Sequence, residues 1–544
     1  MEGALYAWAQ RHTMNPDGIA YLDITDAFLQ GAWKNIVNGH WSPLYPALIA
    51  LTRACLGASA RWEFPIAHLT NLIIYVCALA SFTFLLREMR RSLTHLREPE
   101  WTLIGCTFFM SCSLHGIGLS LLTPDLLVAC LVFLASGLLL RIHQGDSSWR
   151  LRAFFGAALG LGFLAKAPML PVAFIFLALA YVASARRPGR LRKALCSAVI
   201  FVLITAPYIY FLSKTKGRPT FGDSGRLNYM IFVDQSIDEM NWRQIGPGQK
   251  NAVHPLRLIF QNPAIYEFGT PVSGTYPPED DPTYWTQGLQ PTFDLAAQLR
   301  ALKQSLFTLF SIIGRQEGSL LLGLFLVMSA GYFKRRYFLR QWVLWIPATG
   351  ALVMFSFVLV ASRYIAPYLL LVWLSLASAI RFPDNPTTDR WRRIILLLML
   401  ASPLTILGIG TVHRIRMALH EDLHHQEEAD LYPWRVAELL KRSGVRENEN
   451  LAVAGMDPYS AVGWARLART RIIAQVDPAE TDFFYDLSVN NRILPALAAS
   501  GADAIIAQRS KTHPPPGWQP LGGTGLWMYS IPTPKRSPDR PVAQ

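Results

Sequence analysis

What most constrains this chain is a repeated pattern: long apolar runs separated by short turns rich in arginine. The runs lie at about Trp62–Leu86, Trp101–Ser120, Pro124–Leu140, Leu151–Ala165, Pro168–Ser184, Ala194–Leu212, Ser319–Phe333, Gln341–Ala361, Tyr364–Ile380 and Ile394–Val412. Most are long enough to cross a hydrocarbon layer. A backbone in lipid must satisfy its own hydrogen bonds, so runs of this kind fold as helices. The sequence therefore predicts a polytopic α-helical membrane protein with about ten spans. Leu44–Leu56 is too short to cross and reads as a helix lying at the interface.

The charges give the chain two sides. Arg87, Arg90, Arg91 and Arg97 share one loop, and Arg141, Arg150 and Arg152 lie in or beside the next basic one. Arg186, Arg187, Arg190, Arg192 and Lys193 follow, then Lys334, Arg335, Arg336 and Arg340, then Arg381, Arg390, Arg392 and Arg393. These groups occupy alternate loops, which places them in the cytoplasm. They also account for most of the net charge of +14 without a nucleic-acid partner. Only 16% of residues are charged, against about 25% in an ordinary soluble domain. The opposite side receives Asn15–Pro46, the Thr123-Pro124-Asp125 and Lys166-Ala167-Pro168 turns, a long loop over 213–318, the Ser362-Arg363-Tyr364 junction and the tail after His413. The expected location is a bacterial inner membrane, with these polar parts periplasmic.

Residues 1–14 lack the apolar core of a cleavable signal peptide. Ten spans with a cytoplasmic end to the first put residues 1–60 outside with nothing before them to export them. The expectation is a further N-terminal span, making eleven or more, or a first span that inserts with its N-terminal segment as a hairpin. The six cysteines include no CxxC pair, so neither a disulfide framework nor a cysteine metal site is expected. The domain reading is a transmembrane catalytic domain over 1–412, with external loops at 1–60 and 213–318. A connecting segment at 413–433 leads to a small α/β extramembrane domain at 434–532 and a disordered tail at 533–544. In the α/β part, LAVAGM, RIIAQV and ADAIIAQ read as strands and GLWMYSI as an edge strand.

The chemistry concentrates in NPDGIAYLDITDAFLQGAWKNIVNGHWSPLYP, read as a loop at the membrane surface. Asp17, Asp23 and Asp26 fall within it, with Tyr21 and Tyr45. Asp17 follows Asn15-Pro16 and could simply cap a helix with solvated neighbours. Its companions on the same side argue for more. Asp125 opens a span, Lys166 is the sole charge in GAALGLGFLAKAPMLPVAF, and Arg363 sits where two spans meet. Snorkelling would explain Lys166 alone, and capping of a helix end would explain Arg363 alone. Together, two carboxylates and two cations suit the departure of a sugar from a lipid phosphate. Lys166 and Arg363 would neutralise the dianionic leaving group, with Asp125 and Tyr364 in support. Asp17 would take the proton from the attacking acceptor hydroxyl, in an inverting displacement. Tyr21, Asp23 and Tyr45 are expected to bind substrate.

The segments DGIAYLD, GHWSPLYP, TPDLL, GLGFLAKAP and SRYIAPYLLL, in that order and all on one side, resemble the GT-C glycosyltransferases of the protein O-mannosyltransferase and aminoarabinose-transferase type. The resemblance covers about residues 15 to 410. It implies a polyprenyl-phosphate sugar as donor and a glycan, lipid or protein as acceptor. It matches Asp17 to the essential first-loop acid, Asp125 to the second acidic position, and Lys166 and Arg363 to the lipid-phosphate contacts. Family members carry a span before the first loop, and many have a second acid where Gly18 stands here. That leaves a divalent metal an open question, with Asp23 as the alternative acid.

Two other functions are legible. His420-Glu421-Asp422-Leu423-His424 is a literal HExxH, the motif of a zinc metallopeptidase, with His413 and His425 nearby. It lies in a segment polar all round, as in a solvated connecting helix. A polytopic transporter would show inverted repeats and polar residues near the midplane. No repeat is visible, and the glycines of GAALGLGF suit close helix packing.

Overall fold

The computed structural model describes residues 1–57, 59–91, 98–185, 189–237, 252–254, 256–261, 264–268, 272–383, 386–424, 431–476, 487–508 and 516–532. Of residues 60, 386–387, 418–424 and 487–491 it describes the backbone alone. The expected tail at 533–544 lies outside the described residues.

The chain begins with α1 (Glu2–Ala9) and α2 (Pro16–Gln30), so the stretch read as a loop contains a helix of four turns. Pro16 at its first position and Asp17 in its first turn are favourable starting residues, and Gly31 ends it in the left-handed conformation at φ 69°. A short α3 (Trp33–Ile36) leads to α4 (Leu44–Leu56), which has the bounds expected of the interfacial helix.

The bundle proper follows: α5 (Glu63–Arg90), α6 (Glu98–Met110), α7 (Asp125–Gln144), α8 (Trp149–Ala165), α9 (Met169–Val182) and α10 (Arg190–Lys216). A π-helical turn at Ser111–Ile117 extends α6. α8 meets α10 closely. A side chain at Gly156 would strike the Ser197 carbonyl, and one at Gly160 would strike Ile204, which is the packing role expected for those glycines.

The 213–318 segment holds α11 (Ser224–Phe232), strands β1 (Arg257–Phe260) and β2 (Ile265–Glu267), α12 (Pro277–Asp280), α13 (Pro282–Trp285) and the start of α14 (Leu295–Ser329). Helix α14 is kinked at Glu317, and its part beyond the kink covers most of the predicted seventh run. Then come α15 (Arg335–Arg340), α16 (Trp342–Ser356), α17 (Ser362–Ala377) and α18 (Pro386–His424). Among the described residues, five helices are long and apolar enough to cross a membrane: α5, α7, α10, α14 and residues 388–417 of α18. α4, α9, α16 and α17 are apolar but shorter.

The tail contains α19 (Tyr432–Arg442), β3 (Asn450–Ala454), α20 (Pro458–Ala468), β4 (Arg471–Val476), α21 (Leu487–Ser500), β5 (Ala504–Gln508), β6 (Gln519–Pro520) and β7 (Leu526–Ser530). Strands β4, β3 and β5 are parallel, as helical crossovers require. The sheet order is β1-β2-β4-β3-β5-β7-β6. Two strands of the 213–318 segment thus complete the tail's sheet, with β2 antiparallel to β4. β7, expected at the edge, is flanked by β6.

These pairings constrain the crossings. Thr275 donates to Asp23 through backbone and hydroxyl, at 2.8 and 2.9 Å. Arg466 of α20 reaches the same carboxylate at 2.6 Å. Residue 23, the 257–280 segment and the tail therefore lie on one side. An even number of crossings must separate each from the next. Among the described residues, six helical segments, α5 to α10, stand in the first interval. Four, α14 and α16 to α18, stand in the second.

Candidate active site

Asp17 stands in the first turn of α2. Asn15, immediately before the helix, does not cap it. Its side-chain oxygen instead accepts from the backbone of Leu122 at 2.8 Å, which fastens the start of α2 to the turn before α7. In that turn the Thr123 hydroxyl donates to Asp125 Oδ2 at 2.9 Å. Asp125 opens α7 and Lys166 closes α8, so each charge sits at the helix end whose dipole favours it. Lys166 Nζ pairs with Asp125 Oδ1 at 2.5 Å and lies 3.9 Å above the Tyr364 ring. Snorkelling alone does not describe it.

Arg363 has the opposite placement. It lies in the first turn of α17, where the dipole disfavours a cation. Two carboxylates outweigh that cost: Arg363 Nη2 is 3.2 Å from Asp17 Oδ2, and Nε is 3.7 Å from Asp125 Oδ2. The guanidinium also donates to the Tyr364 hydroxyl at 3.2 Å. Residues far apart in sequence thus form one chain of contacts, Asp17–Arg363–Asp125–Lys166, edged by Tyr364.

Asp17, Lys166, Arg363 and Tyr364 line a cavity of about 630 Å³, and Asp125 lies buried behind them. Pro171, Phe221, Ile231, Met354, Phe355 and Leu359 give it an apolar flank. Tyr21 reaches it as well, because four residues beyond Asp17 is about one helical turn. Burial, and then the carboxylates of Asp17 and Asp125, push the Tyr21 phenol up, so it stays a protonated donor.

Tyr45 and Asp23 are placed elsewhere. Tyr45 is fully buried beneath Tyr21, its ring edge-on at 5.0 Å. Its hydroxyl donates to Asn71, whose amide holds the Leu119 and Leu121 carbonyls. Asp23 lies six residues beyond Asp17, a turn of about 240° around α2, on a different face. It belongs to a buried ion cluster in which Arg466 contacts Asp23, Asp26 and Glu63 at 2.6, 2.6 and 2.9 Å. Arg53 and Arg469 complete it. Burial works to raise the Asp26 carboxyl, but Arg466, Arg53 and Arg469 outweigh it and hold it below its usual range.

Four residues on the cavity wall escaped the sequence reading: His40, Glu279, Asp457 and Tyr459. Asn38 shapes the turn that presents His40, accepting from the backbone of His40 and Trp41 at 2.8 and 3.0 Å. Burial holds the His40 imidazole down at about 4, so it is neutral at pH 7. Trp41 Nε1 donates to the Glu279 carbonyl at 2.8 Å, docking α12 on that turn. Only GHWSPLYP and PPEDDP, aromatic and acidic residues fixed by prolines, hinted at this in the sequence.

The donor set does not suit a divalent cation. Asp17 and Asp125 already face Arg363 and Lys166. Among the described residues no three His, Cys, Asp or Glu side chains gather to hold a metal. The HExxH ends α18, and its side chains lie outside the described residues.

No family model matches the chain, and no curated protein matches it. Among solved structures it is similar to ArnT from Cupriavidus metallidurans, in the apo state and bound to undecaprenyl phosphate. The identity is 13% over 93% of this chain and 91% of that one, with a TM-score of 0.48. It is also similar to the archaeal oligosaccharyltransferase AglB from Archaeoglobus fulgidus, in complex with an inhibitory peptide and a dolichol-phosphate. There the identity is 11% over 91% of this chain and 65% of that one, with a TM-score of 0.47. At this distance neither ligand nor activity transfers, and the cavity's chemistry follows from its own residues.

Proposed function

We propose that this chain is a membrane glycosyltransferase that moves a sugar from a polyprenyl phosphate to an acceptor hydroxyl, on the periplasmic side of a bacterial inner membrane. One observation carries the reading. Asp17, Lys166 and Arg363 meet at the wall of a cavity with an apolar flank, and Asp125 ties the two cations together from behind. A lipid-linked phosphate has both characters: a charged head for the cations and a chain for the apolar side.

The four side chains sum to zero charge while the cavity is empty. A donor phosphate adds one negative charge, and cleavage of the sugar–phosphate bond adds a second on the departing oxygen. Lys166 and Arg363 stabilise that growth most in the transition state, which is where stabilisation accelerates a reaction. Arg363 turning to the phosphate also releases Asp17 from its ion pair. The freed carboxylate then accepts the acceptor's proton as the acceptor oxygen attacks the anomeric carbon.

The test is transfer from a radiolabelled polyprenyl-phosphate sugar pool in membranes with matched protein levels. Asp17→Asn should lower transfer by ~10²-fold or more, while His420→Ala should leave it intact. Equal transfer by wild type and Asp17→Asn would remove Asp17 from the mechanism. Loss of transfer in His420→Ala alone would favour the HExxH.

A further inference from the structure

The cavity has a second polar set, built from two segments outside the bundle. Glu279 comes from α12, 6% exposed. Asp457, which caps α20, and Tyr459, in the first turn of that helix, come from the tail domain. The set is held firmly. Tyr459 donates its hydroxyl to Glu279 Oε2 at 3.0 Å, and Asp457 Oδ1 caps α20 by accepting from the Tyr459 amide at 3.0 Å. The Arg466 cluster anchors the other end of α20 to α2 and α5. The tail is therefore fixed against the helix that carries Asp17.

Resting on the glycosyltransferase reading, we propose that Glu279, Asp457 and Tyr459 form the acceptor subsite, and that it takes an uncharged carbohydrate hydroxyl. The chemistry of the two polar sets divides the labour. Lys166 and Arg363 attract a phosphate. Two carboxylates repel a second anion, so an acceptor reacting through a phosphate or carboxylate is disfavoured here. Carboxylates are strong acceptors for the hydroxyls of a polyol, with charge-assisted bonds about twice as strong as neutral ones. Burial and then Glu279 push the Tyr459 phenol up, so it keeps its proton, donates it to Glu279 and leaves its oxygen as an acceptor for a sugar hydroxyl. In the reaction the acceptor hydroxyl oxygen bonds to the anomeric carbon. The bond from that carbon to the phosphate oxygen breaks, its electron pair stays on the phosphate, and the hydroxyl proton passes to Asp17.

The test uses the full-length protein and Glu279→Gln, Asp457→Asn and Tyr459→Phe. These variants keep shape, and asparagine still caps a helix. Undecaprenyl phosphate is the donor-side probe, read as thermal stabilisation in detergent. Labelled sugar is then transferred to endogenous acceptors in membranes. We expect the lipid to stabilise all three variants as it does wild type, while transfer falls 10- to 100-fold. We expect the wild-type product to resist both mild acid and protease, as a glycoside on a carbohydrate does. A product cleaved by mild acid, as a glycosyl phosphate is, overturns the proposal. So does a protease-sensitive product, transfer at the wild-type rate in all variants, or variants that also lose the lipid response. If the lipid fails to stabilise even wild type, it is the polyprenyl-phosphate donor that fails, a distinguishable result.

Discussion

Asp17 is useful because it is shared. In the empty site its carboxylate faces Arg363 at 3.2 Å, and that guanidinium also spans to Asp125 at 3.7 Å. Lysine at 363 would be a point charge unable to hold both partners. Arg363→Lys should raise the KM for the donor about 10- to 100-fold, the worth of a charged hydrogen bond of about 1.5–3 kcal/mol. An unchanged donor KM would mean that Arg363 does not touch the phosphate. His40 gives a prediction about pH. Its folded value is about 4, against 6.5 for an ordinary imidazole. The unfolded chain therefore binds a proton between those values that the folded chain does not. Stability is full above pH 6.5 and declines as the pH falls towards 4. Thermal unfolding in detergent should follow that slope, and His40→Asn should flatten it. An identical slope in the variant would assign the loss to other groups.

At the scale of elements, α2 matters most. Its first turn carries Asp17, its middle meets the Arg466 cluster, and Asn15 ties its start to the α7 turn. Glu63 in that cluster is wholly buried. Removing one partner from such a cluster leaves carboxylates uncompensated, at a cost of ~3–5 kcal/mol. Arg466→Met should lower thermal stability by that order and reduce transfer with it, although residue 466 does not line the cavity that Asp17 faces. Retained stability would mean that the tail is held by apolar packing. The ending of α2 gives a smaller effect. Gly31 has φ 69° with open space around its Cα, so Gly31→Ala introduces backbone strain without a clash. About 1 kcal/mol of stability should be lost, and unchanged stability would show that the strain is relieved locally.

At the scale of the molecule, sheet pairing and the ion cluster fix sidedness without reference to a membrane. Residues 293 and 460 are exposed positions on segments tied to the same sheet or cluster. Single cysteines placed there in a cysteine-free background should both react with a membrane-impermeant maleimide on whole spheroplasts. A cysteine at exposed residue 335 should react only after lysis. Labelling of 293 and 460 from opposite sides would contradict the β2–β4 pairing. Labelling of all three from outside would contradict a single crossing by α14 between residues 293 and 335.

The sequence by itself determined the helical bundle, the bounds of α4 and the strands of the tail's α/β core. Those are carried by local signals: apolar runs of span length, basic loops, and short strand runs ended by turns. It also named Asp17, Asp125, Lys166 and Arg363, because charges beside apolar runs are costly and so stand out. It misread Asn15–Pro46 as a loop, since three aspartates interrupt the apolar residues of α2 and leave no single apolar stripe. Only the tertiary structure decided that Asp23 turns away from Asp17 into a buried cluster, and that Tyr45 serves packing. Only there do β1 and β2 join the tail's sheet and do Glu279, Asp457 and Tyr459 enter the cavity. Contacts between residues hundreds of positions apart leave no period or spacing to read. They are set by which surfaces the folded elements bury against one another.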